Sequence, residues 1–277
     1  MIRLGHTARS RYCTVVIGML AALHGCGEAE PPDAAAEDHG EVHWAYNGDE
    51  GPEHWAELAP EFSACADGRE QSPIDLSDAT PVTGEQFERA SGDFAVELQH
   101  RATVLDLIDN GHTIQVTPLA DIGMMIDGVR YGLAQYHFHA PSEHAIDGRR
   151  FPLEAHFVMS NADGELAVLG MLYEEGEHAR EFDLIIASLP QSDGEARHLE
   201  DLDLDLEELK PIPERVYAYR GSLTTPPCSE GVRWFVGADP ETMSAGQLEV
   251  LSLHLHDNAR PLQPRGGREL FLVNTGR

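Results

Sequence analysis

The sequence predicts a mainly β fold: a single domain on a large, twisted, mostly antiparallel central sheet, with a few short peripheral helices. Three observations predict it. Short runs of alternating apolar and polar residues recur through the chain, broken by polar or Asn-Gly punctuation. Only two stretches carry helical spacing. From about His43 to Arg277 there is no linker, repeat or change of composition, so 43–277 reads as one domain. A hydrophobic content of 42% with 24% charged residues excludes disorder over most of the length. With 19 basic and 48 acidic residues the formal charge is −29, which opposes binding to nucleic acid or to anionic lipid heads.

The elements follow in chain order. Arg3, Arg9 and Arg11 precede an apolar run, Cys13–Leu23, too short to span a bilayer; 1–25 therefore reads as a secretory leader. The run ends in Leu23-His24-Gly25-Cys26, similar to a bacterial lipoprotein processing box. Cys26 is then a candidate lipid anchor that places the chain on a membrane rather than through it, exported to a periplasm or cell envelope. An ordinary leader cut nearby, with Cys26 incidental, is the competing reading. Residues 26–42, rich in Glu, Asp, Ala and Pro, read as a solvated tether. Gly92–Leu98, Ala102–Asp109 and His112–Val116 read as strands. Phe151–Ser160 and Leu166–Tyr173 flank Asn161-Ala-Asp-Gly164, a hairpin signal. Glu181–Leu189, stopped by Pro190, and Ala245–Leu253 read as helices. Cys65 and Cys228, both inside the domain of an exported chain, are a candidate disulfide.

There are 15 His, and they are not scattered evenly. In a strand, residues i and i+2 face the same way, so His137 and His139 project together as two ligands of one metal need. His156 lies in the next strand-like run, where an antiparallel neighbour brings it opposite. Three imidazoles with no fourth protein ligand suit a catalytic, open site. Gln135 and Glu154, each two positions before a His, are placed to accept the second ring N–H of His137 and His156. His254-Leu-His256 has the same spacing but sits on or after a helical pattern, with no third His nearby and no such acceptor; it reads as surface. Ser222-Leu-Thr-Thr-Pro-Pro-Cys228 reads as a rigid loop whose hydroxyls can orient a nucleophile, with Glu143 as the acceptor such a hydroxyl needs. His112, after Asp109-Asn-Gly111, is placed to carry protons or is an exposed bystander.

At these residues the chain resembles the α-class carbonic anhydrases. The likeness runs from about Trp44 to Leu262. It includes Gly51-Pro-Glu-His-Trp55, Arg69-Glu-Gln-Ser-Pro-Ile-Asp75, Asn110-Gly-His112, His137-Phe-His139, Ser142-Glu-His144, Glu154-Ala-His156, Leu166-Ala-Val-Leu-Gly170, Ser222–Pro227 and Asp257-Asn-Ala-Arg-Pro261. The resemblance implies a zinc enzyme that reversibly hydrates carbon dioxide to bicarbonate and a proton through a zinc-bound hydroxide, with weak ester hydrolysis as a side activity. It implies Zn2+ on His137, His139 and His156, with Thr224 orienting the hydroxide and donating to Glu143, and His112 as proton shuttle. Val168, Leu223 and Trp234 correspond to the apolar wall for carbon dioxide. Tyr46 and Thr225 correspond to water-ordering groups, and Asn258 to the residue whose carbonyl supports His139. Cys65 and Cys228 match the disulfide of secreted and bacterial members, and sulfonamides or anions are implied as inhibitors. Ala140 and Ala259 depart from the bulkier residues of animal members, which implies altered packing.

Two other functions compete. An inactive, ligand-binding surface lipoprotein is expected to lose a zinc His, and all three stand. A zinc esterase or peptidase is expected to carry a carboxylate ligand or His-Glu-x-x-His on a helix, and no such motif is present.

Overall fold

Period-two alternation separates two faces along the centre of the sheet. Tyr136, Phe138, Ala155, Phe157, Leu169 and Met171 point to one face and join the larger apolar core with Phe182, Leu248 and Leu251. The residues between them point the other way, where Val168 and Leu172 join a second core with Trp234 and Tyr219. The first core seats the long helix; the second reaches His144 and His156 through Trp234.

The computed structural model describes residues 42–84, 86, 94–95, 101–102, 104–119, 122–200, 204–205 and 213–274. The leader expected at 1–25, Cys26, and all but the last residue of the tether expected at 26–42 lie outside the described residues. In chain order the strands are β1 (Thr80–Thr83), β2 (Phe94–Ala95), β3 (Arg101–Ala102), β4 (Leu105–Asp109), β5 (Ile114–Pro118), β6 (Gly123–Ile126), β7 (Val129–His139), β8 (Ala145–Ile146) and β9 (Arg149–Arg150). They continue with β10 (Leu153–Ser160), β11 (Leu166–Glu175), β12 (Ala196–Leu199), β13 (Leu204–Asp205), β14 (Arg215–Ser222), β15 (Glu230–Gly237), β16 (Glu241–Met243) and β17 (Phe271–Asn274). Among the described residues, 13 of these strands form one sheet whose main path is β1-β17-β14-β15-β11-β10-β7-β5-β4-β12.

The fold is mostly β with a mixed central sheet. Most neighbours run antiparallel, but β1–β17, β11–β15 and β11–β16 are parallel. Alternation reports which face a side chain takes and not the direction of the neighbouring strand, so these pairings were invisible in the sequence. The run expected at Ala102–Asp109 divides: β3 pairs with β13, while β4 joins the main sheet. Of the strand expected at Gly92–Leu98, only Phe94–Ala95 lies among the described residues. The hairpin at Asn161–Gly164 forms between β10 and β11. Asn161 Oδ1 accepts from the N–H groups of Asp163 and Glu165, and Gly164 sits at φ +80°, a region glycine enters without strain.

The helix expected at Glu181–Leu189 is a 3-10 turn, Arg180–Phe182, running into a short α-helix, Asp183–Ala187. Phe182, Ile185 and Leu189 are buried on one face, as the spacing predicts. The second helix spans Ala245–Leu255. Ser244 and Gln247 close a capping box at its start, and it ends at Leu255, two residues beyond the expected limit, capped by His256 in the left-handed region. Two further short helices, Trp55–Leu58 and Ala64–Asp67, lie near the start of the domain. The second carries Cys65, which is disulfide-bonded to Cys228 across a separation of 163 residues. In the chain-entropy picture, closing a loop that long stabilises the fold by about 5 kcal/mol.

Candidate metal centre

β10 lies between β7 and β11, and its register assembles three imidazoles. His156 is directly opposite His137, and Glu154 is opposite His139. A bulge just beyond, where Val158 pairs with Gln135 and Met159 with Leu133, absorbs Ala134. His139 and His156 are fully buried and His137 is half-buried. One nitrogen from each ring comes within 4.8 Å of the others.

The second nitrogen of each ring is already engaged. His137 Nδ1 donates to Gln135 Oε1 at 2.9 Å, His139 Nδ1 to the Asn258 carbonyl at 2.7 Å, and His156 Nε2 to Glu154 Oε1 at 2.9 Å. These bonds direct Nε2 of His137, Nε2 of His139 and Nδ1 of His156 inward, and the buried His139 Nε2 has no hydrogen-bond partner. Burial holds His137 and His139 below the ordinary imidazole range, which favours the neutral form a metal ligand requires. Burial also pulls His156 down, but the Glu154 carboxylate outweighs it and raises this imidazole on balance. A buried set of three inward nitrogens with oriented rings fits a zinc ion.

Glu154 does more than the strand spacing foretold. It accepts from His156, from His144 Nδ1 at 2.7 Å, and from the backbone N–H groups of Glu143 and His144 at 2.9 Å each. Burial alone favours its neutral form, but the two imidazoles hold it well below the usual carboxylate range. An ionised carboxylate only accepts, so both imidazoles donate to it. Gly170 lies opposite His156, and a Cβ there would meet Glu154 Oε1 at 2.9 Å. The far nitrogen of His144 accepts from Tyr219 Oη at 2.7 Å, and Tyr219 in turn contacts Ser72 Oγ at 2.8 Å. His144, Tyr219 and Ser72 were not singled out from the sequence. His144 and Ser72 stood inside the Ser142–His144 and Arg69–Asp75 motifs without a role, whereas Tyr219 carried no signal.

Val168 and Trp234 are buried, paired in register between β11 and β15, and Leu223 packs against the same cluster. The Trp234 ring lies 4.9 Å from that of His156, so an apolar wall abuts the imidazoles. Thr224 is 5% exposed, on a loop closed by bonds from Leu223 N–H to the Ser229 carbonyl and from Cys228 N–H to the Thr225 carbonyl. The expected bond from Thr224 to Glu143 is not formed. Glu143 Oε1 accepts from the Arg260 backbone N–H at 2.8 Å, and Oε2, without a partner, faces His139 Nε2 at 3.5 Å and His156 Nδ1 at 3.8 Å.

His112 follows a turn fixed by its own side chains. Asp109 Oδ1 accepts from Gly111 N–H, and Asn110 Oδ1 accepts from the N–H groups of His112 and Thr113. The imidazole stacks on Trp44 with centroids 3.7 Å apart and planes 6° from parallel. With Tyr46, Asn258 and His254 it lines a cleft of about 220 Å³. Asn258 joins this cleft to the histidines: Nδ2 donates to the His112 carbonyl while its own carbonyl holds His139. Tyr46 packs edge-on against Trp44 and Trp55. Burial, then the Glu143 charge, push its phenol well above the ordinary range. His254 and His256 border the cleft, yet they belong to no three-residue metal-capable group among the described residues.

A family model described as eukaryotic-type carbonic anhydrase matches residues 50–274. A carbonic anhydrase of Pectobacterium atrosepticum is 38% identical over 228 residues, covering 82% of this chain and 89% of that protein. The Photobacterium profundum α-carbonic anhydrase structure is similar at a TM-score of 0.74 and 39% identity, covering 83% of this chain and 100% of that one. The Thermovibrio ammonificans α-carbonic anhydrase in complex with the inhibitor sulfanilamide gives 0.71 and 39%, covering 84% and 100%.

Proposed function

The chain belongs to the carbonic anhydrase family, and from that premise we propose that it hydrates carbon dioxide at a zinc ion held by His137, His139 and His156. The observation that carries this reading is the imidazole set: three inward nitrogens within 4.8 Å, each ring oriented by an acceptor on its far side. When bound, zinc supplies the Lewis acidity that makes a hydroxide nucleophile available near neutral pH.

The remaining chemistry belongs to the chain's own residues. Gln135, Asn258 and Glu154 fix ring direction and tautomer, so the three nitrogens need no reorganisation to bind. Val168, Leu223 and Trp234 offer an apolar surface beside His156 for a small, uncharged substrate. The Thr224 hydroxyl, on its closed loop, orients the nucleophile, and Glu143 Oε2, which has no hydrogen-bond partner, is the acceptor that this hydroxyl would turn to in the working enzyme. Tyr46 and Thr225 order water between this space and the cleft. His112 takes the released proton on its ring and passes it to buffer; the cleft around it supports this role. Weak ester hydrolysis and inhibition by sulfonamides belong to the same reading. Residues 1–25 act as a leader and 26–42 as a tether from a lipid on Cys26, holding the catalytic domain 43–277 at the cell envelope.

Stopped-flow carbon dioxide hydration on zinc-loaded and chelated protein tests the activity. The reading requires hydration that disappears on chelation and returns with zinc. Turnover that survives chelation overturns it. Fractionation of cells carrying the wild type or Cys26→Ser tests the anchor, which predicts that the variant leaves the membrane fraction.

A further inference from the structure

Arg260 is 1% exposed, yet none of its side-chain hydrogen bonds goes to a carboxylate. One terminal nitrogen donates to Gln71 Oε1 at 3.0 Å and to the Ser72 carbonyl at 2.7 Å; the other donates to the Cys65 carbonyl at 3.0 Å. Gln71 Nε2 donates onward to the Cys228 carbonyl at 3.0 Å. The guanidinium thus reaches both cysteines of the bridge, one directly and one through a single amide. The backbone N–H of the same residue donates to Glu143 Oε1. The packing around this link leaves no slack: a Cβ at Gly68 would meet Gln71 Nε2 at 2.3 Å, and the Arg260 guanidinium lies 5.5 Å from the Trp55 ring centroid. Burying a cation against neutral acceptors is a costly way to fill a core, since an apolar side chain of equal volume stabilises as well or better. The arrangement makes more sense as a device of position than of stability.

We propose that Arg260 is a positioning residue through which the Cys65–Cys228 bridge sets the place of Glu143 beside the three imidazoles. The catalytic consequence rests on the carbonic anhydrase reading; the structural coupling does not. Loss of the bridge frees the Cys65 and Cys228 carbonyls to move, the guanidinium follows, and the Arg260 N–H loosens its hold on Oε1.

Two readouts on the zinc-loaded full chain test this. The variants are Gln71→Ala, Arg260→Lys, their combination, and Cys65→Ser with Cys228→Ser. Amide exchange by NMR reports the Arg260 N–H directly. It is expected to speed up about fivefold, the weight of one hydrogen bond, in Gln71→Ala and in the bridge-free chain, with the Leu169 amide in β11 unchanged. Unchanged exchange at Arg260 overturns the coupling whether or not the chain is active. Hydration kcat/KM is expected to fall by a similar factor in Gln71→Ala and in Arg260→Lys at full zinc content, and the combined variant to fall no further than the lower single one. Losses that multiply, or a lower melting temperature with wild-type kcat/KM, overturn it. If the bridge-free chain does not fold, the Gln71 and Arg260 variants decide alone. Wild-type protein without hydration activity would sink the enzymatic reading instead and leave the exchange result to judge the coupling.

Discussion

Two His-x-His pairs stand in this chain, and their surroundings differ in every respect that matters. His137 and His139 lie on β7, where a spacing of two puts both rings on one face, and β10 delivers His156 to that face. His254 lies on the Ala245–Leu255 helix and His256 caps it at φ +51°. There a spacing of two turns the side chains apart. The first pair has an acceptor behind each ring; in the second, His254 Nδ1 simply returns to the Val250 carbonyl one turn back. A two-residue motif therefore has no chemistry of its own, and the backbone beneath it decides whether it can grip a metal.

The sharpest way to break this comparison is substitution at one member of each pair. His139→Ala should remove bound zinc and hydration activity together, whereas His254→Ala should keep the zinc stoichiometry of the wild type. Metal content by atomic absorption reads both, and zinc retained in His139→Ala would end the site assignment. A smaller effect is expected behind the rings. Glu154→Gln keeps the shape of the side chain but cannot accept from His144 and His156 as a carboxylate does. Zinc affinity, measured by chelator competition, should fall about 10- to 100-fold.

Next in size is the relay. His112→Ala should lower kcat about tenfold in weak buffer while leaving kcat/KM nearly unchanged, and added imidazole should restore most of the loss. Thr224→Ala should lower both parameters and ignore imidazole. Parallel loss of kcat and kcat/KM in His112→Ala would mean that the residue shapes the site instead of carrying protons.

The smallest effect lies at an exposed histidine, His198 on the edge strand β12. Its ring nitrogens contact Asp106 at 2.6 Å and Glu200 at 3.3 Å, and the Asp106 hydrogen bond raises its pKa above the ordinary 6.5. A raised value means stability fully present below pH 6.5 and lost as pH rises through the folded value. Asp106→Asn should therefore lower the urea midpoint slightly at pH 6 and not at pH 8.5. An equal loss at both pH values would assign the contact to packing.

Legibility from sequence followed the range of the interaction. The Asn161–Gly164 turn, the faces of β7 and β10, and the roles of Gln135 and Glu154 as ring acceptors are local, and local spacing announced them. The contact of Asn258 with His139 came from family resemblance, since it joins residues 119 positions apart, whereas the disulfide, across 163 positions, was legible from the exported context and the two cysteines inside the domain. Arg260 stood in the Asp257–Pro261 motif, but neither route gave it a role. Its argument consists of acceptors at Gln71, Ser72, Cys65 and Glu143, and no residue near it in sequence hints at them.

By itself the sequence determined which side chains share a face, where the chain turns, and that two imidazoles stand at strand spacing with a third in the next strand-like run, because a residue's own backbone period sets those relations. Tertiary structure decided the parallel pairing of β11 with β15 that seats Trp234 beside Val168, the convergence of four donors on Glu154, and the turning of Glu143 towards the rings. The reason is physical. Strand order and buried hydrogen bonds are chosen by the whole chain as it buries two apolar faces at once, and that competition leaves no trace in any single segment.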